Sequence, residues 1–107
     1  MPTEPVKTLQ FARAGVRVNS RVPIRLTWQE SGATQTVEGQ TVDISSRGCL
    51  AIAPHDFAVG QKLQIINAIS LREAEAILIW RGHQARNGWE LGLELQNPPH
   101  DFWDVDF

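Results

Sequence analysis

Apolar side chains take every second position in several short stretches of this chain. The clearest run spans residues 21–28, and its apolar members are Val22, Ile24, Leu26 and Trp28. A period of two places these side chains on one face, so the run predicts a half-buried β-strand. Pro23 has no backbone N–H to donate to a ladder, so we expect this strand to lie at an edge or to carry a bulge there.

Five further stretches are typical of strands and are separated by turn signals. They are residues 34–44, residues 49–53, the neighbours of Leu63 and Ile65 after Gly60, residues 72–80 and residues 89–95. Residues 30–33 indicate a hairpin turn, and residues 81–88 a long turn. Residues 72–79 also have helix propensity, but the apolar alternation from Ala74 to Trp80 favours a strand.

Six short strands with little helix predict an all-β barrel or sandwich. Three tryptophans fall on apolar faces and are expected in the core: Trp28, Trp80 and Trp89. In residues 49–53 one face carries only small side chains, which permits close approach by another surface. Two prolines, Pro98 and Pro99, end the last strand and permit a short C-terminal helical turn.

The composition is that of a soluble globular domain. The chain has 107 residues, of which 42% are hydrophobic and 21% charged, enough for one modest core. Its net charge of −2 argues against binding to long nucleic acids. The first 30 residues carry five basic and two acidic side chains, whereas the remainder carries five basic and ten acidic. A small anionic ligand near the N-terminus fits this distribution.

Membrane insertion and secretion are not indicated. The longest apolar run, residues 76–80, is too short to cross a bilayer, and the first residues lack the pattern of a signal peptide. Cys49 is the only cysteine, so no internal disulfide can form. We therefore expect a cytoplasmic protein.

Two short motifs carry the candidate chemistry. Arg17 and Arg21 form an R-x-x-x-R run before the first clear strand. Asp43, Ser45 and Gly48 form a D-x-S-x-x-G run at the end of the second strand. Guanidinium forks bind phosphate oxygens and purine edges, and a carboxylate accepts from a guanine N–H edge. A ligand that carries both guanine and phosphate would therefore bond to all of these groups.

Each motif also has a purely structural explanation. Arginines four apart are common in solvated turns. Asp43 and Ser45 can cap backbone N–H groups of their turn, a role that does not exclude ligand contact. Arg47 is typical of a solvated turn residue that can also reach a phosphate. Gly48 is expected to need a positive φ.

In this order, the two motifs resemble those of the PilZ domain family, bacterial receptor modules for cyclic di-GMP. The resemblance covers residues 13–97 and includes Val22-Pro23-Ile24 and the glycine-centred last strand around Gly92. It implies a six-stranded antiparallel β-barrel over residues 16–97. Residues 1–15 would be a flexible lead-in, and residues 98–107 a short tail with one helical turn.

The resemblance also implies roles for the motif residues. In the family the arginines contact phosphate and guanine, the aspartate holds a guanine edge, the serine meets a phosphate or a base, and the glycine lets the backbone approach. Many PilZ domains have a second arginine directly before the first motif arginine, where this chain has Val16; the nearest extra arginine is Arg13. The candidate ligand-binding residues are Arg13, Arg17, Arg21, Asp43, Ser45, Arg47 and Gly48.

The predicted function is therefore a cyclic di-GMP receptor module. Ligand binding would close the segment before Arg21 over the dinucleotide and change the surface shown to a protein partner or a fused effector domain. The alternative is a PilZ-like adaptor that binds protein and no nucleotide, which the departure at Val16 favours. The tail aromatics, Phe102, Trp103 and Phe107, either cover one barrel end or dock such a partner.

An enzyme is disfavoured, and no cofactor is expected. Ser45 has no evident base partner, and the strand carboxylates lie on polar faces rather than as an acid–base pair. The three histidines are scattered over loops without a second ligand at useful spacing, so no metal site is predicted.

Overall fold

The computed structural model describes residues 17–105 and 107. Seven strands lie in this part of the chain: β1 (Val18–Asn19), β2 (Pro23–Glu30), β3 (Ala33–Ser45), β4 (Gly48–Ala53), β5 (Lys62–Asn67), β6 (Glu73–Ala85) and β7 (Gly88–Gln96). The predicted lead-in, residues 1–15, lies outside the described residues. Among the described residues, no helix has the length and apolar character needed to span a bilayer.

Six of the strands close into a barrel. The antiparallel pairing runs β2–β3–β4–β7–β6–β5 and returns to β2, which confirms the predicted six-stranded all-β barrel. The expected edge position or bulge at Pro23 is wrong, because β2 pairs on both sides and its ladder with β3 has no register shift. Pro23 is the first residue of β2, where a missing N–H is tolerated.

The barrel interior is filled from alternating strand positions. All four apolar residues of the first run are buried, with Leu26 completely inaccessible. On β4 it is the small-residue face, Cys49, Ala51 and Ala53, that points inward. Phe57, from the chain between β4 and β5, is also in the core and lies edge-on to Trp28 with ring centroids 4.8 Å apart. The small face of β4 was expected to allow close approach by another surface, and that surface is the core of the barrel itself.

Strand β6 differs most from the sequence-based prediction. The long turn expected at 81–88 is wrong, since β6 continues to Ala85 and pairs with Gly88 across a tight turn. Two irregularities interrupt the ladder, the first between Leu78 and Trp80. Ile79 is the extra residue there, and Trp80 is consequently 40% exposed instead of in the core. Trp89 is only partly buried against the core.

Strand β1 was not predicted. Its two residues pair with the end of β3, Asn19 opposite Asp43. Between β1 and β2, the buried Thr41 hydroxyl accepts from Val22 N at 2.7 Å and donates to the Ser20 carbonyl. Thr41 thus bonds across the gap between the two strands and fixes the segment that follows Arg17 against β3.

The C-terminal segment closes one end of the barrel. In place of the predicted helical turn it makes two successive i→i+3 turns, from Phe102 N to Pro99 O and from Asp104 N to Asp101 O. Phe102 and Trp103 are buried and contact edge to face at 4.7 Å. Their rings therefore cover the barrel end, the structural alternative of the two considered. Phe107 remains 42% exposed.

Candidate functional site

The D-x-S-x-x-G motif lies where β3 turns into β4. Ile44 points into the core and is fully buried, so Asp43 and Ser45 face the opposite side. Both are nevertheless buried, because β1 and the Arg17 side chain lie along this part of β3. The barrel's outer face therefore carries a carboxylate and a hydroxyl that are shielded from water.

Asp43 forms an ion pair with the first motif arginine. Nη1 of Arg17 is 3.5 Å from Oδ2 of Asp43, and the side chains are 34% and 8% exposed. Burial raises the pKa of Asp43 above its ordinary value, while the Arg17 charge and a backbone hydrogen bond from Leu50 oppose this rise. Arg17 and Leu50 thus offset part of the free-energy cost of burying the charged Asp43 carboxylate.

The second carboxylate oxygen has no such partner. Oδ1 of Asp43 is buried and accepts no hydrogen bond from any described residue. An unmet buried acceptor costs about 1–3 kcal/mol, so it is rare in a stable fold without a compensating role. Oδ1 is an acceptor for a ligand N–H, and a ligand reaches it only when the groups that bury it move aside.

Ser45 and Gly48 have clear roles within the turn. The Ser45 hydroxyl accepts from Arg47 N at 3.2 Å, the capping role considered for it. Gly48 is not in the left-handed region, so its expected positive φ is wrong. A Cβ at Gly48 would instead lie 2.1 Å from the Leu93 carbonyl oxygen. The glycine is required because β7 approaches β4 too closely for any side chain.

The remaining predicted arginines lie apart from one another. Arg21 is exposed and lines a shallow cavity of about 240 Å³ that extends over β3 from Glu38 to Val42. Arg47 is exposed on the β3–β4 turn. Arg13 lies outside the described residues. The structure therefore brings Arg17 to Asp43 directly and leaves Arg21 at a neighbouring cavity.

Comparison with known families identifies the whole domain. The family model described as PilZ domain matches residues 12–102, a span that includes both motifs and all seven strands. The chain belongs to the PilZ domain family. PilZ domains are generally receptors for cyclic di-GMP and not enzymes. The chain has no significant match among curated proteins or among solved structures.

Trp80, which the sequence pattern predicted in the core, lies on the same outer face of this PilZ domain as Asp43. The ladder runs from Asp43 to Leu50, then to Gly92, then to Trp80, so these positions form one outer-face row. A Cβ at Gly82 would lie 2.4 Å from Cη2 of Trp80, so the indole lies over that glycine. The glycines at 82 and 92 were visible in the sequence, but the bulge that turns Trp80 outward was not.

Cys49 is buried, and the described acidic residues are not grouped for metal binding. Burial, reinforced by the nearby Asp43 charge, raises the pKa of the Cys49 thiol far above its usual range, so the thiol is unreactive. Within residues 17–105 and 107, no cluster of three His, Cys, Asp or Glu side chains is arranged to hold a metal ion.

Proposed function

We propose that this PilZ domain binds cyclic di-GMP on its outer face, between the arginine motif and the end of β3. The observation that carries the proposal is the buried Oδ1 of Asp43, which has no hydrogen-bond partner among the described residues. A guanine Watson–Crick edge offers N–H donors of the kind this oxygen lacks. Binding would thereby remove an existing cost as well as form a new bond.

The arginines supply the complementary charge. Arg17 lies next to Asp43 and keeps about a third of its side chain exposed, so it can contact a phosphate or guanine while it still faces the carboxylate. Arg21 is exposed at the adjoining cavity, and its guanidinium carries five N–H donors. Charge-assisted bonds contribute about 1.5–3 kcal/mol each, and a few of them give micromolar affinity, about −8 kcal/mol.

Trp80 extends the site along the same row. Its half-exposed indole is about three strand spacings from Asp43, roughly 14 Å, which suits the second base of a dinucleotide. We expect a guanine to stack on this ring. Arg47, Arg13 and the Ser45 hydroxyl are further proposed contacts.

Ligand binding would be transmitted by a conformational change in the segment that carries the arginine motif. On binding, Arg17 and the chain that precedes β1 would close over the ligand and alter the surface presented to a protein partner or a fused effector domain. We propose that this occurs in the cytoplasm, where a nucleotide second messenger is available.

Calorimetry with cyclic di-GMP, and with GTP as control ligand, tests the proposal. Arg17→Ala, Arg21→Ala and Asp43→Asn are each expected to weaken binding tenfold or more, since each removes about 1.4 kcal/mol or more. Arg25→Ala is the matched control, because Arg25 lies on the outer face but pairs with Glu38; we expect a change of less than about twofold. If all four variants bound cyclic di-GMP with the affinity of the wild type, this site would be excluded.

Trp80 has its own test. Trp80→Ala is expected to weaken binding by about five- to a hundredfold, the range measured for base stacking, and Trp80→Phe to restore part of the loss. Quenching of indole fluorescence on titration of the wild type is the independent readout. Normal binding by Trp80→Ala would remove this residue from the site.

A nucleotide-free adaptor is the second candidate function. Ser45 favours it, because this motif side chain is fully buried and its hydroxyl caps the N–H of Arg47. In that case calorimetry detects no heat when cyclic di-GMP is added to the wild type or to the arginine variants.

A further inference from the structure

The loop that joins β5 to β6, residues 67–72, exposes two large apolar side chains. Ile69 is 70% exposed and Leu71 is 65% exposed, more than any other large hydrophobic residue among those described. Leu71 also has a φ of 68°, a left-handed conformation that costs a non-glycine residue about 1 kcal/mol. The fold thus holds an exposed leucine in a strained position.

This loop is rigidly built despite its exposure. The nearly inaccessible Asn67 accepts from Ile69 N at 2.9 Å and Ser70 N at 3.3 Å through Oδ1, and its Nδ2 donates to the Phe102 carbonyl at 2.9 Å. The N–H of Leu71 donates to the Asn67 carbonyl at 2.7 Å. The other backbone N–H groups of residues 67–72 are bonded as well.

The loop is also clamped to its surroundings. Arg72 contacts Asp101 at 3.0 Å and Asp104 at 2.7 Å, and Ala68 N donates to the Pro23 carbonyl at 2.9 Å. A segment whose apolar side chains are exposed but whose backbone is fixed loses little entropy when it binds. Such preorganised, strained positions are characteristic of functional surfaces.

We propose that loop 67–72 docks a protein partner that offers an apolar pocket with a basic rim. Ile69 and Leu71 are the anchors that enter the pocket. The rim is inferred from charge: Glu73 directly follows the loop, and Asp101 and Asp104 contact Arg72, which gives three carboxylates against one guanidinium. Arg25, which lies opposite Ile66, is paired with Glu38 and does not change this excess. Basic groups on the partner complement this excess and speed association.

The same charges argue against two other occupants. In a twofold pair with a second copy, each loop would face the same carboxylates, and this like-charge contact would repel the two copies. An anionic membrane surface would repel the acidic rim. The inference goes beyond nucleotide binding and does not depend on it.

The test uses Leu71→Asn in the full chain. Asparagine tolerates a φ of 68° and removes the apolar anchor, so the variant is expected to fold at least as stably as the wild type. A photo-crosslinking amino acid, p-benzoylphenylalanine, is placed at position 69 or 71, or at the exposed strand position of Thr36 as control. Adducts formed in cells are identified by mass spectrometry, and the purified partner is then titrated against the wild type and Leu71→Asn.

We expect positions 69 and 71 to form an adduct with one and the same protein, and position 36 to form none. The affinity for that partner should be at least tenfold lower for Leu71→Asn than for the wild type. Added salt should weaken the wild-type complex. Cyclic di-GMP binding should be unchanged in this variant, which separates the two proposals. No adduct, or equal adducts at all three positions, overturns the inference. So does an adduct between two copies of the chain, or Leu71-dependent sedimentation with vesicles of phosphatidylcholine and phosphatidylglycerol.

Discussion

The β3–β4 turn and the β5–β6 loop deviate from ordinary packing in opposite ways. At the first, a carboxylate is buried and one of its oxygens, Oδ1 of Asp43, accepts no hydrogen bond from the described residues. At the second, every backbone N–H of residues 67–72 is bonded, but Ile69 and Leu71 are left in solvent. One region lacks a polar partner and the other lacks an apolar one.

The difference indicates which kind of molecule each region can bind. A buried unmet acceptor discriminates by hydrogen bonding, which suits a small ligand with fixed N–H groups. A rigid loop with exposed apolar side chains gains free energy by removing area from water, which suits a protein surface. The barrel tolerates both costs, the Asp43 oxygen that accepts no hydrogen bond from the described residues and the left-handed leucine.

The largest expected effect concerns the turn itself. Gly48→Ala would bring a Cβ to 2.1 Å from the Leu93 carbonyl oxygen, a clash with backbone that cannot move aside. We expect a loss of about 3 kcal/mol in the free energy of unfolding, measured by urea denaturation. Gly32→Asn is the control, because nothing lies within 4 Å of its Cβ position and asparagine accepts φ 81°. Similar stability of the two variants would mean that β4 and β7 are not in close contact at the turn.

A smaller effect is expected at the loop. Asn67→Ala removes the acceptor for two backbone N–H groups and the donor to the Phe102 carbonyl, so we expect a loss of about 2 kcal/mol in the same measurement. Ser70→Ala removes a single acceptor, for Arg72 N, and should cost about 1 kcal/mol or less. If Asn67→Ala were as mild as Ser70→Ala, the hydrogen bonds of Asn67 would not be what holds the loop rigid.

The smallest effect is the pH dependence of Asp43. Burial raises its folded-state pKa above the ordinary 3.8, so the folded protein holds this proton more tightly than the unfolded chain. The ionised carboxylate therefore lowers stability at neutral pH, and this penalty disappears as the pH falls from above the folded pKa to below 3.8. In urea titrations, the wild type should gain stability relative to Asp43→Asn over that window.

Asp56→Asn provides the reference for that measurement, because Asp56 is half exposed and pairs with Arg81 at the surface. If the wild type did not gain stability relative to Asp43→Asn as the pH falls, or lost stability instead, Asp43 would not be a desolvated carboxylate.

Local pattern predicted much of the barrel. The alternation from Val22 to Trp28 marked β2 correctly, and the turn signal at Ser31 and Gly32 marked the hairpin that follows. The R-x-x-x-R and D-x-S-x-x-G spacings were enough to indicate the PilZ family. Alternation failed in residues 81–85, because both faces of that part of β6 are largely outside the core.

The sequence by itself determined which residues alternate, where the chain turns, and which side chains have the chemistry for a guanine nucleotide. Only the tertiary structure decided that Asp43 is buried with an unmet oxygen, that Gly48 is required by the approach of β7, and that a bulge turns Trp80 outward. The physical reason is that periodicity reports how one strand divides its own two faces. Burial, close contact and ladder register depend on strands that are distant in the sequence and meet only when the barrel closes.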